Sequence, residues 1–258
     1  MERLINKHLR TKTFGRVIRF YREVESTNDV AFDLAKEGAT EGTVIIADTQ
    51  TKGRGRLQRK WISPPGFNLY MSIIFRPSIS SKDASILTLV SSVALFETVN
   101  SYGIRCQIKW PNDLLINRRK VAGVLTEMEL DRERVEFVLV GLGINLNMTR
   151  GVMNNLMGEV SEIATSVREE LGHEVDRSEF AAKVINLLEK WYEMFKSKGK
   201  STIIDEWKKR WGDLNKRVRI DHNLIEGIAY DLDQNGFLLI RRDNGEIERI
   251  IAGDVTVI

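Results

Sequence analysis

Several things are scarce in this chain of 258 residues. There is one cysteine, Cys106, which excludes an intramolecular disulfide and any cysteine-based metal cluster. A single thiol is also what a reducing compartment favours, so the cytoplasm is the expected location. The three histidines lie far apart and away from acidic pairs at metal-ligand spacing, so no structural metal is expected. No apolar run approaches the ~18 residues of a membrane span, and MERLINKHLR lacks the apolar centre of a signal peptide. The formal charge is only +3, which removes bulk attraction to nucleic acid or membrane as a function class. Any cationic function must therefore be local. With 42% apolar and 29% charged residues, the composition is that of a globular protein with a real core.

Cations do concentrate in one place. The segment KGRGRLQRKW, residues 52–61, directly follows the buried-strand pattern TVIIAD, residues 43–48. Gly53 and Gly55 free the backbone to approach a ligand closely. Arg54, Arg56 and Arg59 offer planar forks suited to phosphate or carboxylate oxygens, and Trp61 a flat stacking face. The Gly-Lys-Ser/Thr ending of a P-loop is missing. On its own residues the stretch fits a solvated basic turn, a small-molecule phosphate site or a nucleic-acid contact. Two glycines among several like charges also predict a loop that resists ordering until an anion arrives.

Around it, the pattern alternates between strands and helices. A short helix is expected over residues 1–10 and a strand over Val17–Val24. A helix follows, with Ser26 as N-cap, Asp29 three residues on and Gly38 as its stop. Strand character returns over Asn68–Pro77, and Ala84–Tyr102 reads as a buried helix. KWPND ends a strand in a turn, where Asn112 and Asp113 are ordinary turn residues or a carboxylate placed for Mg²⁺ or a ribose. Lys109 there is a salt-bridge partner for Asp113 or an anion contact. A hairpin through Asn117 and Arg118 leads into KVAGVLTE, and a further central strand carries VGLGINLN. Gly123, Gly141 and Gly143 interrupt these strands; if the two are neighbours, the glycines clear a slot on one face, with Lys120 at its rim. Three helices are expected between Val160 and Trp211, in EVSEIATSVREELG, RSEFAAKVINLLEKWYEMFKSKG and STIIDEWKKRWG. After Gly212, short strands alternate with DQNG and DNGE turns, as in a small barrel. The fold expected is α+β: a mixed sheet with flanking helices in residues 1–212 and a small β-barrel domain in residues 213–258.

Taken in order, ESTND, QTKGRGRLQRKW, KWPND, KVAGVLTE and GLGINLN resemble the catalytic core of the biotin protein ligase family, and the resemblance runs over residues 15–258. It implies a sheet of the class II aminoacyl-tRNA synthetase type with an SH3-like C-terminal barrel. It also implies a two-step reaction: biotin and ATP give biotinyl-5′-AMP, and a lysine of a biotin carboxyl carrier protein then takes the biotin. By matching position, Ser26, Thr27, Asn28, Gln50 and Gly53 would meet biotin, with Gly123, Gly141 and Gly143 shaping its slot. Arg54 and Lys120 would meet the biotin carboxylate and the α-phosphate. Arg56, Arg59, Trp61, Lys109, Asn112 and Asn145 would serve ATP and the adenylate, and Asp113 would position Mg²⁺; Arg54, Lys120 and Asp113 are the catalytic candidates. The family also implies a homodimer. Gln58 stands where the family often has glycine. Fewer than 20 residues precede the first strand, too few for the DNA-binding domain some relatives carry, so no DNA partner and no membrane are expected. A lipoate or octanoate ligase of the same fold, or a nucleic-acid-binding module, are the rival readings.

Overall fold

The computed structural model describes residues 1–132, 134–220 and 225–258. Chain order begins with α1 (Glu2–His8), β1 (Ile18–Val24), α2 (Thr27–Lys36), β2 (Val44–Gln50), β3 (Leu69–Phe75) and α3 (Ile86–Asn100). Next come β4 (Gln107–Lys109), β5 (Asp113–Ile116), β6 (Arg119–Asp131) and β7 (Arg134–Ile144). The helical stretch is α4 (Arg150–Met157), α5 (Val167–Leu171), α6 (Arg177–Lys198) and α7 (Lys200–Lys208). Five strands close the chain: β8 (Arg217–Ile220), β9 (Ile225–Leu232), β10 (Leu238–Arg241), β11 (Ile247–Ile250) and β12 (Val255–Val257).

The first seven strands form one sheet in the order β1-β2-β3-β7-β6-β5-β4. Only β1 and β2 run parallel, joined through α2; every other neighbouring pair is antiparallel. This is the mixed sheet with flanking helices that the pattern predicts. All seven residues of β3 are buried, so the middle of the sheet is covered on both faces. The long helices α3 and α6 pack together over one face, burying Leu87, Val90 and Val93 from the first and Phe180, Val184 and Leu188 from the second. α2 lies on the opposite face, with Ala31 and Ala35 against Ile45, Ile74, Phe137 and Leu139. The site must therefore form on the α2 side, beyond that helix's N-terminus. The last five strands make an antiparallel sheet in the order β11-β10-β9-β8-β12.

Local chemistry accounts for most boundaries. Ser26 caps α2, accepting from the Asn28 N–H, and Gly38 takes a positive φ of 90° just past the helix end. Asn117 and Arg118, with φ of 49° and 64°, supply the left-handed pair that a two-residue hairpin needs between β5 and β6.

Two helical expectations need correction. EVSEIATSVREELG is not one helix: a 3₁₀ turn over Gly158–Ile163 is followed by extended backbone and then by the short α5. The break comes from tertiary pairing, because Ala164 bridges to Lys120 and the Thr165 N–H donates to the Lys120 carbonyl. Ser166 then caps α5 through the Glu169 N–H. The helix α4, capped by Thr149, lies in a stretch for which no helix is expected.

Candidate functional site

The glycines meet as the spacing requires. β6 and β7 are neighbours, and Gly123 lies directly opposite Gly143, with Gly141 opposite Leu125 two residues along. The Trp61 ring lies over this bare patch: a Cβ on Gly143 would fall 2.5 Å from its Cε2, and one on Gly123 3.4 Å from its Cζ3. A Cβ on Gly141 would fall 2.5 Å from Asn28 Oδ1. Each glycine thus keeps open the space that Trp61 and Asn28 enter.

Lys120 reaches the same rim. Its Nζ lies 2.7 Å from Asp113 Oδ1 and 5.2 Å from the centre of the Trp61 ring. Asp113 is cross-strand to Lys109 in the β4–β5 pair, yet its ion pair is with Lys120, so the expected Lys109 bridge is replaced. Asn112 is buried, donates to the Val124 carbonyl at 2.6 Å and accepts from Arg56 at 3.4 Å. Asn145 is 2% exposed, and its Oδ1 is a buried acceptor with no hydrogen-bond partner among the described residues.

A second cluster surrounds the N-terminus of α2. The Thr27 N–H and hydroxyl both donate to Gln50 Oε1, at 2.8 and 3.1 Å, while Gln50 Nε2 donates to Ser63 Oγ. The Ser72 hydroxyl lies 2.7 Å from Thr27 Oγ1 and 2.5 Å from Asn28 Oδ1. Asn28 Nδ2 donates to Glu127 at 2.6 Å. Arg54 completes the chain with a two-pronged contact to Asp29, at 3.0 and 2.6 Å, and a further contact to Glu127 at 3.2 Å. Its guanidinium is raised above the usual arginine value by the hydrogen bond to Asp29, against a smaller effect of burial.

Arg54 and Lys120 thus have separate partners. Gly123, which Lys120 crosses, and Glu127, which Arg54 touches, are four residues apart on one strand, or about 13 Å. A cavity of about 230 Å³ opens at the Arg54 end, lined by Asn28, Asp29, Phe32, Glu127 and Met128 among others.

The basic segment itself is a closed hairpin. Trp61 N–H donates to the Gly53 carbonyl at 2.8 Å and Gly55 N–H to Arg59 at 2.7 Å. A Cβ on Gly53 would strike the Trp61 carbonyl and Ser63 Oγ at 2.6 Å, so the first glycine is a packing requirement. The tip turns through Leu57 and Gln58, both left-handed at φ 53° and 58°. Arg56 and Arg59 point toward Asp254 of the second sheet, 3.9 and 2.5 Å away. Burial lowers the Arg56 guanidinium, partly offset by Asp254 and Asp113.

Sequence reasoning missed Asp29 as the Arg54 partner, as well as Ser72, Glu127 and Asp254. Asp29 does not complete a capping box, because its carboxylate is turned to Arg54. Ser72 did carry a signal: a hydroxyl in the fully buried strand LYMSIIF must find a partner. Glu127 and Asp254 carried none, since their partners lie 73 or more residues away in the chain.

The arginine-rich hairpin, the facing glycines and the lysine–carboxylate pair all lie within or beside one mixed sheet, and that sheet falls in the stretch that matches the biotin and lipoate protein ligases as a class. Residues 20–145 match the biotin/lipoate A/B protein ligase family, and residues 213–257 match the biotin protein ligase C-terminal domain. The chain is 35% identical over 250 residues to the bifunctional ligase/repressor BirA of Bacillus subtilis, covering 96% of this chain and 76% of that protein. It is 32% identical over 229 residues to the biotin–[acetyl-CoA-carboxylase] ligase of Paracoccus denitrificans, covering 86% and 92%. The biotin protein ligase of Aquifex aeolicus, solved with biotin and ATP, superposes at TM-score 0.78 with 30% identity, covering 94% of this chain and 99% of that one. The chain belongs to the biotin protein ligase family.

Proposed function

We propose that the protein activates biotin with ATP, giving biotinyl-5′-AMP and pyrophosphate, and then transfers the biotinyl group to a carrier lysine with release of AMP. In the first step a biotin carboxylate oxygen bonds to the α-phosphorus as the bond to the bridging oxygen of pyrophosphate breaks. In the second, the lysine amine attacks the acyl carbon, AMP leaves, and the amine gives up a proton. Both steps join groups without a covalent enzyme intermediate, so the protein's task is alignment and charge neutralisation. The facing Gly123–Gly143 pair with Lys120 at its rim carries this reading. A stretch of sheet with no side chains of its own, covered by Trp61 and edged by a cation, suits a compact ring ending in a carboxylate.

In this assignment Ser26, Thr27 and Gln50 hold the ureido ring; the Thr27 hydroxyl donates to the Gln50 amide, and the Ser26 hydroxyl accepts from the Asn28 N–H. Lys120 neutralises the meeting anions. Arg54 joins it only by leaving Asp29 and Glu127, so its part includes a change of partner. Arg56 and Arg59 hold phosphates, Trp61 and Asn145 the nucleotide end. Mg²⁺ fits Asp113: one carboxylate plus substrate phosphates and water is an ordinary magnesium set, and among the described residues no group of three or more acidic, His or Cys side chains forms a closed cage. Bound there, the ion would neutralise phosphate charge. The working units are residues 1–212 for the chemistry and 213–258 as the small β domain, acting on a biotin carboxyl carrier protein as a cytoplasmic homodimer. Among the described residues no helix is long and apolar enough to cross a membrane.

The test is pyrophosphate release on mixing the protein with Mg²⁺-ATP and biotin, with lipoate and octanoate in parallel. Biotin alone should drive release. Turnover with lipoate but not biotin would move the chain to the sister activity, and release with neither would remove the reading.

A further inference from the structure

Five cations fall within residues 52–60, and three sets of carboxylates hold four of them, Lys52, Arg54, Arg56 and Arg59. Lys52 pairs with Glu25 at 2.7 Å, and Arg54 pairs with Asp29 and Glu127. Arg56 and Arg59 at the tip share Asp254, the only carboxylate among the described residues with an ion pair to either. The Arg56 Nη1 also donates to the Gly253 carbonyl and to Asn112 Oδ1, both at 3.4 Å. Asp254 and Gly253 lie in the turn between β11 and β12, two strands of the second sheet.

That turn is firmly seated. Gly253 has φ of 148°, and a Cβ on it would come within 2.7 Å of the buried Ile220 side chain. The next residue, Val255, is buried and pairs with Ile220 in the β8–β12 ladder. Asp254 therefore presents its carboxylate from a fixed point, with its side chain 22% exposed. It leaves the arginines largely unspent, since a guanidinium has five N–H donors. Arg59 meets Asp254 through Nη2 while 64% exposed, and among the described residues the polar contacts of the Arg56 guanidinium run through Nη1. The remaining guanidinium N–H groups make no ion pair or hydrogen bond among the described residues, which leaves them for a phosphate.

We infer that Asp254 is a positioning residue for the nucleotide: with the Gly253 carbonyl it latches the tip arginines to the second sheet, making that sheet part of the site for the polyphosphate tail of a nucleoside triphosphate. The inference rests on the proposed ATP-dependent reading. A tip carrying Arg56 and Arg59 without a counter-charge repels itself, and binding must then meet the cost of ordering it. With Asp254 in place, that ordering is done before the triphosphate arrives.

The test compares Asp254→Asn and Asp254→Glu with the intact chain, and Asp243→Asn as a control that breaks an exposed ion pair of the same sheet with Arg217. Trypsin cleavage after Arg56, in ligand-free protein, should be about two- to fivefold faster in Asp254→Asn, the size of effect an ion pair of this exposure supports. In pyrophosphate release its KM for ATP should rise about as much, with the KM for biotin within about twofold of wild type. Asp254→Glu should recover most of both effects, and Asp243→Asn should match wild type. Should Asp254→Asn fold poorly, Arg59→Gln breaks the same pair from the exposed side and must give the same faster cleavage at Arg56. Wild-type cleavage rates in these variants would overturn the latch. An ATP KM that is unchanged, or lower because Asp254 merely competes with phosphate, would overturn its positioning role. A wild-type protein that releases no pyrophosphate with biotin defeats the ligase reading instead, and the proteolysis still decides the latch.

Discussion

Lys120 touches both a carboxylate and an indole face, and its side chain is a third exposed. Its removal should leave folding intact while taking away the cation at the rim of the glycine patch. Lys120→Ala is expected to slow biotin-dependent pyrophosphate release by about 10²–10³-fold, as for loss of one preorganised donor; release at the wild-type rate would contradict its role. Gln58 makes a different kind of prediction. It and Leu57 hold left-handed backbone, which costs a side-chain-bearing residue about 1–2 kcal/mol. Glycine at 58 relieves that strain but adds freedom to the unfolded chain, and the two effects oppose each other. Gln58→Gly should thus keep its melting temperature close to wild type while its ligand-free tip is cut faster by trypsin. Cys106 links to pH. Burial pushes its thiol from 9.0 up to about 12, and its Sγ lies 3.7 Å from the Phe96 carbonyl. Below pH 9 the thiol is protonated both folded and unfolded, so it contributes no pH dependence. Above 9 the unfolded thiol ionises while the folded one does not, so stability falls as pH rises from 9 toward 12. Denaturant midpoints across that range should decline, and Cys106→Ser should make the decline shallower, leaving the part that the buried Tyr70, Tyr102 and Tyr192 hydroxyls, also raised by burial, contribute.

At the level of elements, β6 and β7 act as a pair whose missing side chains are as informative as those present. Gly143→Ala puts a methyl 2.5 Å from Trp61 Cε2, and the indole must move. Overpacking of this kind costs about 1–3 kcal/mol. The rise in melting temperature caused by biotin should fall by more than half, measured beside Gly151→Ala on α4, where no atom lies within 4 Å of the added Cβ. An undiminished rise in Gly143→Ala would take the slot away from biotin. Much of this pair is legible in the sequence: the Asn117–Arg118 turn forces β5 and β6 together, and glycines at 123, 141 and 143 break two apolar runs that then prove adjacent. What is not legible is whatever depends on distant partners. The amphipathic spacing of residues 159–172 reads as one helix, yet Ala164 and Thr165 are drawn into extended backbone by Lys120, 44 residues earlier for the Ala164 bridge. The α2 capping box fails for the same reason, because Arg54 offers Asp29 a stronger partner than a backbone N–H. Local signals set strands, turns and caps, while the site's charge pairings are tertiary.

Across the whole molecule, the question is whether the two sheets behave as one body or two. Their buried residues form a single apolar cluster, which includes Ile108, Val140 and Trp211 together with Val218, Ile220, Leu238 and Ile240. Directed contacts reinforce it. Trp110 Nε1 donates to the Gly236 carbonyl at 3.1 Å, Ser85 Oγ donates to the Asn235 carbonyl at 3.1 Å, and Lys200 spans Asp83 and Asn235 at 2.6 and 2.9 Å. Gly236, at φ 79°, leaves no room for a side chain against Leu89. A small sheet on a flexible tether would melt by itself at lower temperature, with an enthalpy in proportion to its few residues. One sharing a core loses its buried face only when its partner unfolds. Calorimetry should therefore show one transition, with the van't Hoff enthalpy equal to the calorimetric value of roughly 180 kcal/mol near 60 °C for a chain of this length. Trp110→Phe, which leaves the Gly236 carbonyl without its donor, should lower stability by about 1–3 kcal/mol yet keep the transition single. Two resolved transitions in the wild type would show that the sheets are independent. An Asp254 latch could not then hold the loop through the shared core, because the second sheet would carry it on a moving body.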